Sequence, residues 1–467
     1  MNRLRGSLAA AGALSLAVCA WEGAAAAAGF ATQTFGSEHG TVVDTNPTAL
    51  YYNPGALGFG SKNGTIGMYG SLALHGITWK HDKAIDDYAD PPGAEGANTG
   101  KASLLNVFGG AAIAGAMRIG NLYIGGGFFA PFYGIAHWGQ NDSFTNTAQF
   151  PLAKDGVQRW FAIDGKMEVL YFSLGAAYRL GPLSIGATGN FISTTVSSYQ
   201  ARNIAAAGVP DTSNEGRAYF DVQGYGGSFA AGAMVEVIAD QLWLAGSYQA
   251  QPNIGEQALN GDLNITPPKQ KATHYDVTLH QGLPDIVRGG VRYHPKSIPW
   301  EFRVFGDLTR WSKMTRQCLT EKGASCDVSP TDGGQLPGGV VLGNVRRNWQ
   351  DTYGVRVGAS YWVKPSVEVF AGAGYETAAS PDATLAPDLP DANNILLAIG
   401  GRFGLTESLF VSASFTQIQY MNRDNTGKST LASENGTMYL YPTVEGNGGG
   451  QYTQFASVLS ANLEAVF

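Results

Sequence analysis

Tyr353-Gly354-Val355-Arg356-Val357-Gly358-Ala359-Ser360-Tyr361 is the stretch that decides the fold. Taken in steps of two, Tyr353, Val355, Val357, Ala359 and Tyr361 are apolar, while Gly354, Arg356, Gly358 and Ser360 are small or polar. Successive side chains of a strand point to opposite faces, so the segment has one greasy face and one smaller, more polar face. The pattern recurs. Leu409, Val411, Ala413 and Phe415 alternate with Phe410, Ser412, Ser414 and Thr416, and Val367, Val369, Ala371 and Ala373 interleave with Glu368, Phe370, Gly372 and Gly374. In the last segment Leu459, Ala461, Leu463, Ala465 and Phe467 share one face, with Ser460, Asn462 and Glu464 on the other. A soluble sandwich would bury the greasy face in a core, whereas a membrane barrel turns it to lipid and lines its interior with the other.

The connections separate these two cases. Turn-like segments fall at Gly120-Asn121, Gly181-Pro182, Ala239-Asp240, 294–299, Lys364-Pro365 and Thr406-Glu407. Long polar segments lie between them, at 81–100, 137–163, 201–216, 251–270, 312–348, 378–393 and 421–450. Short and long connections thus alternate, as they do when periplasmic turns are short and outer loops long. Counting predicts about 14 strands, an even number as in bacterial single-chain barrels. That count takes 271–281 and 284–294 as one strand interrupted at Pro284, whose ring removes a ladder donor. Both ends of the chain then face the periplasm.

Composition and the amino end place the chain in an envelope. Charged residues make up 14% of it, against about 25% in an ordinary globular protein. Glycine accounts for 63 of 467 residues, roughly double the usual share. After the leader, no stretch offers the ~20 consecutive apolar residues of a membrane helix. The net charge of -7 gives no sign of nucleic-acid binding. Arg3 and Arg5, the apolar run 6–20 and the alanines before Gly29 read as a signal peptide over 1–27, cleaved just before Ala28 or Gly29. Leu16-Ala17-Val18-Cys19 loosely resembles a lipid-attachment box, with an atypical valine before the cysteine. Cys19 leaves with the leader, so Cys318 and Cys326 remain as a candidate local disulfide, with metal binding as the rival reading.

Residues 28–62 do not alternate, and Pro47 and Pro54 rule out a strong interior strand or helix there. Phe30, Phe35, Tyr51, Tyr52 and Leu57 are too greasy for a solvated tail, so this segment reads as a plug inside a barrel over 63–467.

Several short motifs, in order, carry a family resemblance. They are Ala28-Gly29-Phe30, Tyr52-Asn53-Pro54-Gly55-Ala56-Leu57, Phe129-Ala130-Pro131-Phe132-Tyr133-Gly134 and Leu283-Pro284-Asp285-Ile286 with Gly290 and Tyr293. Asp307-Leu308-Thr309-Arg310-Trp311-Ser312 and Asn348-Trp349-Gln350-Asp351-Thr352-Tyr353 follow. Together they resemble the FadL/TodX group of outer-membrane transporters of long-chain fatty acids and aromatic hydrocarbons. The resemblance implies an all-β, 14-stranded antiparallel transmembrane β-barrel closed by an amino-terminal hatch at 28–62. It also implies a plug motif at Asn53, Pro54 and Gly55, where the family usually has alanine at the last position. A kink around Pro131, Phe132 and Gly134 would open a sideways exit, with Asn53 satisfying the freed backbone groups. Phe30 and Phe35 are candidate substrate contacts, and Arg202 and Arg316 candidate head-group partners, although Gln200 stands where a basic residue is expected.

The function expected is passive, hatch-gated uptake of hydrophobic small molecules by a monomer, with fatty acids and uncharged hydrocarbons both open. The partners implied are the substrate, outer-membrane lipid and lipopolysaccharide, and the barrel assembly machinery, with no cofactor and no metal. A general porin would carry rings of inward charge, whereas Arg356 and Glu368 look scattered. A structural or adhesive barrel is the other rival. His75, His137, His274 and His280 have no accompanying serine motif, so the chain does not read as an enzyme.

Overall fold

The computed structural model describes residues 40–61, 63–81, 92–203, 211–328, 340–431, 433–434, 437–438 and 446–467. The expected signal peptide lies outside the described residues, as do Phe30 and Phe35.

Six long strands come first: β1 (Gly64–His81), β2 (Gly100–Ile119), β3 (Leu122–His137), β4 (Asp164–Leu180), β5 (Leu183–Asn203) and β6 (Glu215–Ile238). Four interrupted strands follow. They are β7 (Leu242–Gln249 and Gln257–Thr266), β8 (Thr273–Gln281 and Ile286–Tyr293), β9 (Trp300–Thr309 and Arg316–Glu321) and β10 (Val341–Arg346 and Thr352–Lys364). The last four are β11 (Val367–Glu376), β12 (Asn394–Gly404), β13 (Leu409–Tyr420) and β14 (Gln451–Val466). Each pairs antiparallel with the next, and β14 pairs with β1, which closes a 14-stranded barrel. At the seam, Gly64 and Phe467 exchange N–H···O bonds of 3.0 Å in both directions. Closure removes the free edges that an open sheet would expose to hydrocarbon.

The alternation of turns and loops holds, with one correction. The segments 251–270 and 312–348 are not whole loops: Gln257–Thr266, Arg316–Glu321 and Val341–Arg346 continue the wall. The loop between β7 and β8 shrinks to 267–272. The reason is a belt of breaks at one height. Below it, Ile286 faces both Gln249 and Thr309, and Thr309 faces Thr352. Above it, Gln281 faces both Gln257 and Gln317, and Arg316 faces Arg346. Within each break the two-residue period stops, so three of the four look like strand ends in the sequence. The Pro284 break alone was anticipated.

The greasy faces point outward as expected. Tyr353 is 61% exposed, Val355 51%, Val357 50% and Leu174 76%, values that make sense only against lipid. Leu174 sits mid-strand, between Gly126 of β3 and Gly189 of β5. Leu174→Arg is expected to cost about 2–4 kcal/mol of folding stability in a bilayer. Urea titration of the barrel refolded into lipid vesicles measures this, and the inward Ser173→Ala serves as control.

Candidate functional site

Residues 40–61 occupy the barrel interior. Pro47 and Pro54 each introduce a short helical piece, Ala49–Tyr52 and Pro54–Phe59. Helices this short do not hold alone, so the wall must hold them. Asn53 joins the two. Its Oδ1 accepts from the Gly55 N–H at 3.1 Å, and its Nδ2 donates to the carbonyls of Val42 at 2.9 Å and of Ala233 in β6 at 3.1 Å. Ser247 Oγ donates to the Tyr52 carbonyl at 2.6 Å. Asn53 therefore anchors the plug to β6 and does not serve the break in β3.

The departure Gly55 has a steric reason. A Cβ there would lie 2.5 Å from the Gly232 carbonyl oxygen, and a Cβ on Gly232 would lie 2.1 Å from Asn53 Oδ1. Opposite, Val42 and Val43 pack with Phe305 of β9 and Ala245 of β7.

Above the plug, aromatic side chains from distant motifs meet. Tyr51 lies 5.8 Å from Phe129 and 6.0 Å from Tyr171, Phe132 lies 6.0 Å from Trp311, and Trp311 lies 5.0 Å from Trp349, between ring centroids. The breaks in β8, β9 and β10 send Leu283, Trp311, Met314 and Trp349 into this cluster. The Arg288 guanidinium sits 5.0 Å over the Tyr51 ring and 5.5 Å over that of Tyr52. Those of the resemblance motifs that lie among the described residues thus converge on one constriction.

Beside it the wall parts. Phe129 pairs with Tyr171 and Phe132 with Val169, so β3 carries one extra residue, and 129–132 are all buried as the strand dips inward. Pro131 has no N–H to give to a ladder. The pairing of β2 with β3 ends at Ile113 and Phe128, and among the described residues backbone bonding resumes where the Gly139 N–H donates to the Ser103 carbonyl at 3.0 Å. Over 104–112, β2 is laddered to β1 alone. Phe132 closes the bent stretch, and Gly134 lies beyond it, paired regularly with Met167 of β4.

A cavity of about 130 Å³ lies above the constriction. Met167, Val196, Ala218, Leu263, Leu279 and Leu319 make it apolar, while Gln200, Arg202, Gln317, Arg347 and Asp388 give it a polar end. Arg202 donates to the Leu342 carbonyl at 2.8 Å. Arg316 is not a liner; its neighbours Gln317 and Leu319 line the cavity instead. Sequence reading missed Arg347, which is buried, paired with Asp388 and bonded to Gln317 Oε1 at 2.8 Å. Its one signal was its place just before Asn348-Trp349; Asp388 had none. Cys318 and Cys326 are bonded, with Cα atoms 6.2 Å apart, next to Leu319. Exposed Asp262, His274 and Asp276 hold possible ligand atoms within 4.8 Å of one another.

Below the constriction, the inward charges are not scattered. Arg356 bridges Asp307 at 2.9 Å and Glu376 at 3.3 Å, Glu301 bridges Arg292 at 2.9 Å and Arg303 at 2.6 Å, and Arg402 meets Glu464 at 3.1 Å. These pairs form an arc on β8 to β14 that leaves the charges largely neutralised.

A sequence model of the family described as outer membrane protein transport protein (OMPP1/FadL/TodX) matches residues 137–467. The chain belongs to that family. It is therefore an outer-membrane transport protein, in a family of channels and not of enzymes. Among solved structures it is similar to a Pseudomonas aeruginosa FadL homologue, at 16% identity and TM-score 0.72, covering 96% of this chain and 99% of that one. It is also similar to the P. putida toluene transporter TodX, at 14% identity and TM-score 0.62 over 91% and 95% of the two chains. The Ralstonia pickettii toluene transporter TbuX follows, at 14% identity and TM-score 0.59 over 95% and 98%. No curated protein sequence matches the chain. At these identities the structures speak for the fold, including the amino-terminal third that the family match leaves out.

The plug contacts generate a test. Gly55→Val pushes a side chain into the backbone of Gly232 and Ala233, so the hatch is expected to unseat while the closed wall still forms. Single-channel conductance in planar bilayers should then rise, with the heat-modifiable gel band of the folded barrel unchanged.

Proposed function

We propose that this barrel takes up small hydrophobic molecules passively and releases them sideways into the membrane between β2 and β3. The observation that carries the reading is the gap in the wall beside the aromatic constriction. An apolar solute gains roughly 25 cal/mol for each Å² it buries, so the lined cavity concentrates it without an energy source. The way straight down is poor for such a solute, because the hatch and the charged arc stand there. An opening at mid-wall leads instead into hydrocarbon. The hatch, taken as 28–62, holds the plug motif Asn53, Pro54 and Gly55 against β6 and closes the axial route.

Uncharged hydrocarbons fit the cavity better than carboxylates. Arg347 is already paired with Asp388, Lys166, which also lines the cavity, is paired with Glu168, and Arg202 is engaged by a backbone carbonyl. A carboxylate buried there would have to break one of those contacts, leaving a charge uncompensated. Toluene transporters are among the chains of similar fold, which agrees with this choice. The barrel acts as a monomer in this reading, inserted by the assembly machinery beside lipopolysaccharide, and Phe30 and Phe35 contact substrate from the hatch.

Deleting Pro131 removes the one extra residue of β3 and lets the strand run on straight against β2. Cells lacking their own transporter, expressing the variant at matched surface levels, should take up labelled toluene no faster than cells without any barrel. The unaltered barrel should take up toluene readily and labelled oleate poorly. Full toluene uptake by the deletion variant would refute the sideways exit.

A further inference from the structure

Behind the gap, on the inner wall of β1, β2 and β14, polar side chains lie buried with nothing to bond. His75 is 1% exposed, Asn106 5% and Gln454 3%. Among the described residues, both ring nitrogens of His75, Asn106 Nδ2, and Gln454 Nε2 and Oε1 have no hydrogen-bond partner. Buried polar groups are paired as a rule, so a cluster of orphans asks for an explanation.

The register puts the three together. His75 stands opposite Asn106 across β1 and β2, and opposite Ala456 across β1 and β14. Gln454 is the next inward residue beyond Ala456, opposite Ile77. Only a methyl group at Ala456 separates His75 from β13, and the His75 ring comes within 5.9 Å of the Tyr420 ring. Asn106 lies in the middle of 104–112, the part of β2 that β3 leaves unpaired. Next to it, Phe108 and Tyr133 bring their rings to 6.2 Å across the opening. On the proposed sideways route, a molecule leaving through the gap would pass this patch.

We infer that His75, Asn106 and Gln454 form a hydrogen-bonding subsite for an uncharged polar group, a hydroxyl or carbonyl, on an otherwise apolar passenger. The inference rests on the uptake reading above and deepens it by naming a substrate class. The inventory suits a neutral group. Asn106 Nδ2 and Gln454 Nε2 donate, Gln454 Oε1 accepts, and a neutral imidazole offers one donor and one acceptor. Among the described residues no arginine or lysine joins the cluster, so a carboxylate would find no counter-ion there, while a hydroxyl can donate and accept at once. The surrounding Ala73, Ile77, Phe108 and Ala456 keep the site dry and apolar for the rest of the ligand. Toluene would cross the patch without using it, whereas p-cresol, the same ring with a hydroxyl, would dock.

The test is equilibrium binding of p-cresol and of toluene, each carbon-13 labelled, to the full barrel in lipid nanodiscs, with cellular uptake measured in parallel. In the His75→Phe, Gln454→Leu double variant, p-cresol binding should weaken about tenfold, as expected for lost hydrogen bonds to buried groups. Toluene binding should hold or strengthen. Asn106→Leu, a milder change, should move binding in the same direction, and the heat-modifiable band reports folding of each variant. Equal weakening of both ligands, or unchanged p-cresol binding, would overturn the subsite and leave its polar atoms to bound water. The expected binding pattern without cellular uptake would uphold the subsite and sink the uptake reading instead.

Discussion

Every backbone N–H and C=O inside a bilayer must find a partner within the protein, because hydrocarbon offers none. The rest of this structure follows from that constraint and from the places where it is relaxed. Fourteen strands satisfy it by closing on themselves, with Gly64 and Phe467 tying the seam. The belt of breaks in β7 to β10 departs from it without opening the wall. There the freed chain turns inward and is held by other groups: the Arg310 N–H donates to the Asp285 carbonyl at 2.9 Å and the Gln350 N–H to that of Ala379 at 2.8 Å. The same inward turns deliver Trp311 and Trp349 to the constriction. Between β2 and β3 the ladder simply stops and starts again. One interruption makes an internal floor, and the other leaves a gap in the ladder.

The hatch depends on the wall as much as the wall depends on closure. Its two helical pieces are too short to persist alone, and it is seated by side-chain to backbone bonds and by close approach of main chains. Gly55 against Gly232, and Pro54 against Gly186, bring backbones nearer than any Cβ allows. Seating of this kind is specific yet modest in energy, since each net hydrogen bond contributes only about 0.5–1.5 kcal/mol. Seating of that strength would allow the element to move while the barrel stays closed, as the proposed uptake requires.

The wall was legible in the sequence because its signal is periodic and repeated. Tyr353 to Tyr361 shows its period of two without help, and the short turns are punctuated by glycine and proline. The kink around Pro131 was expected from the family resemblance, and the register shift in β3 falls between Phe129 and Phe132. What escaped was whatever depends on register between distant segments. The strands beyond the breaks read as loops, because a local stop in alternation looks the same whether the strand ends or resumes. Arg356 and Glu368 looked scattered because their partners lie on other strands. Asn53 was legible as a motif, but its target, Ala233, lies 180 residues away. The His75 cluster was invisible for a related reason: β1, β2 and β14 come from opposite ends of the chain, and only closure brings them side by side.

The most direct test of the sideways route is position-resolved capture of ligand on its way out. A photo-cross-linking side chain at Leu105, outward and 64% exposed at the rim of the opening, is compared with one at Leu174, outward and 76% exposed in the closed wall. A third at Trp243 reports on the short-turn mouth, where Trp243 lines a cavity with Arg292, Glu301 and Trp362. With labelled toluene supplied to cells from outside, the account predicts saturable capture at Leu105 and only background at Leu174 and Trp243. Capture concentrated at Trp243, or equal at Leu105 and Leu174, would contradict it.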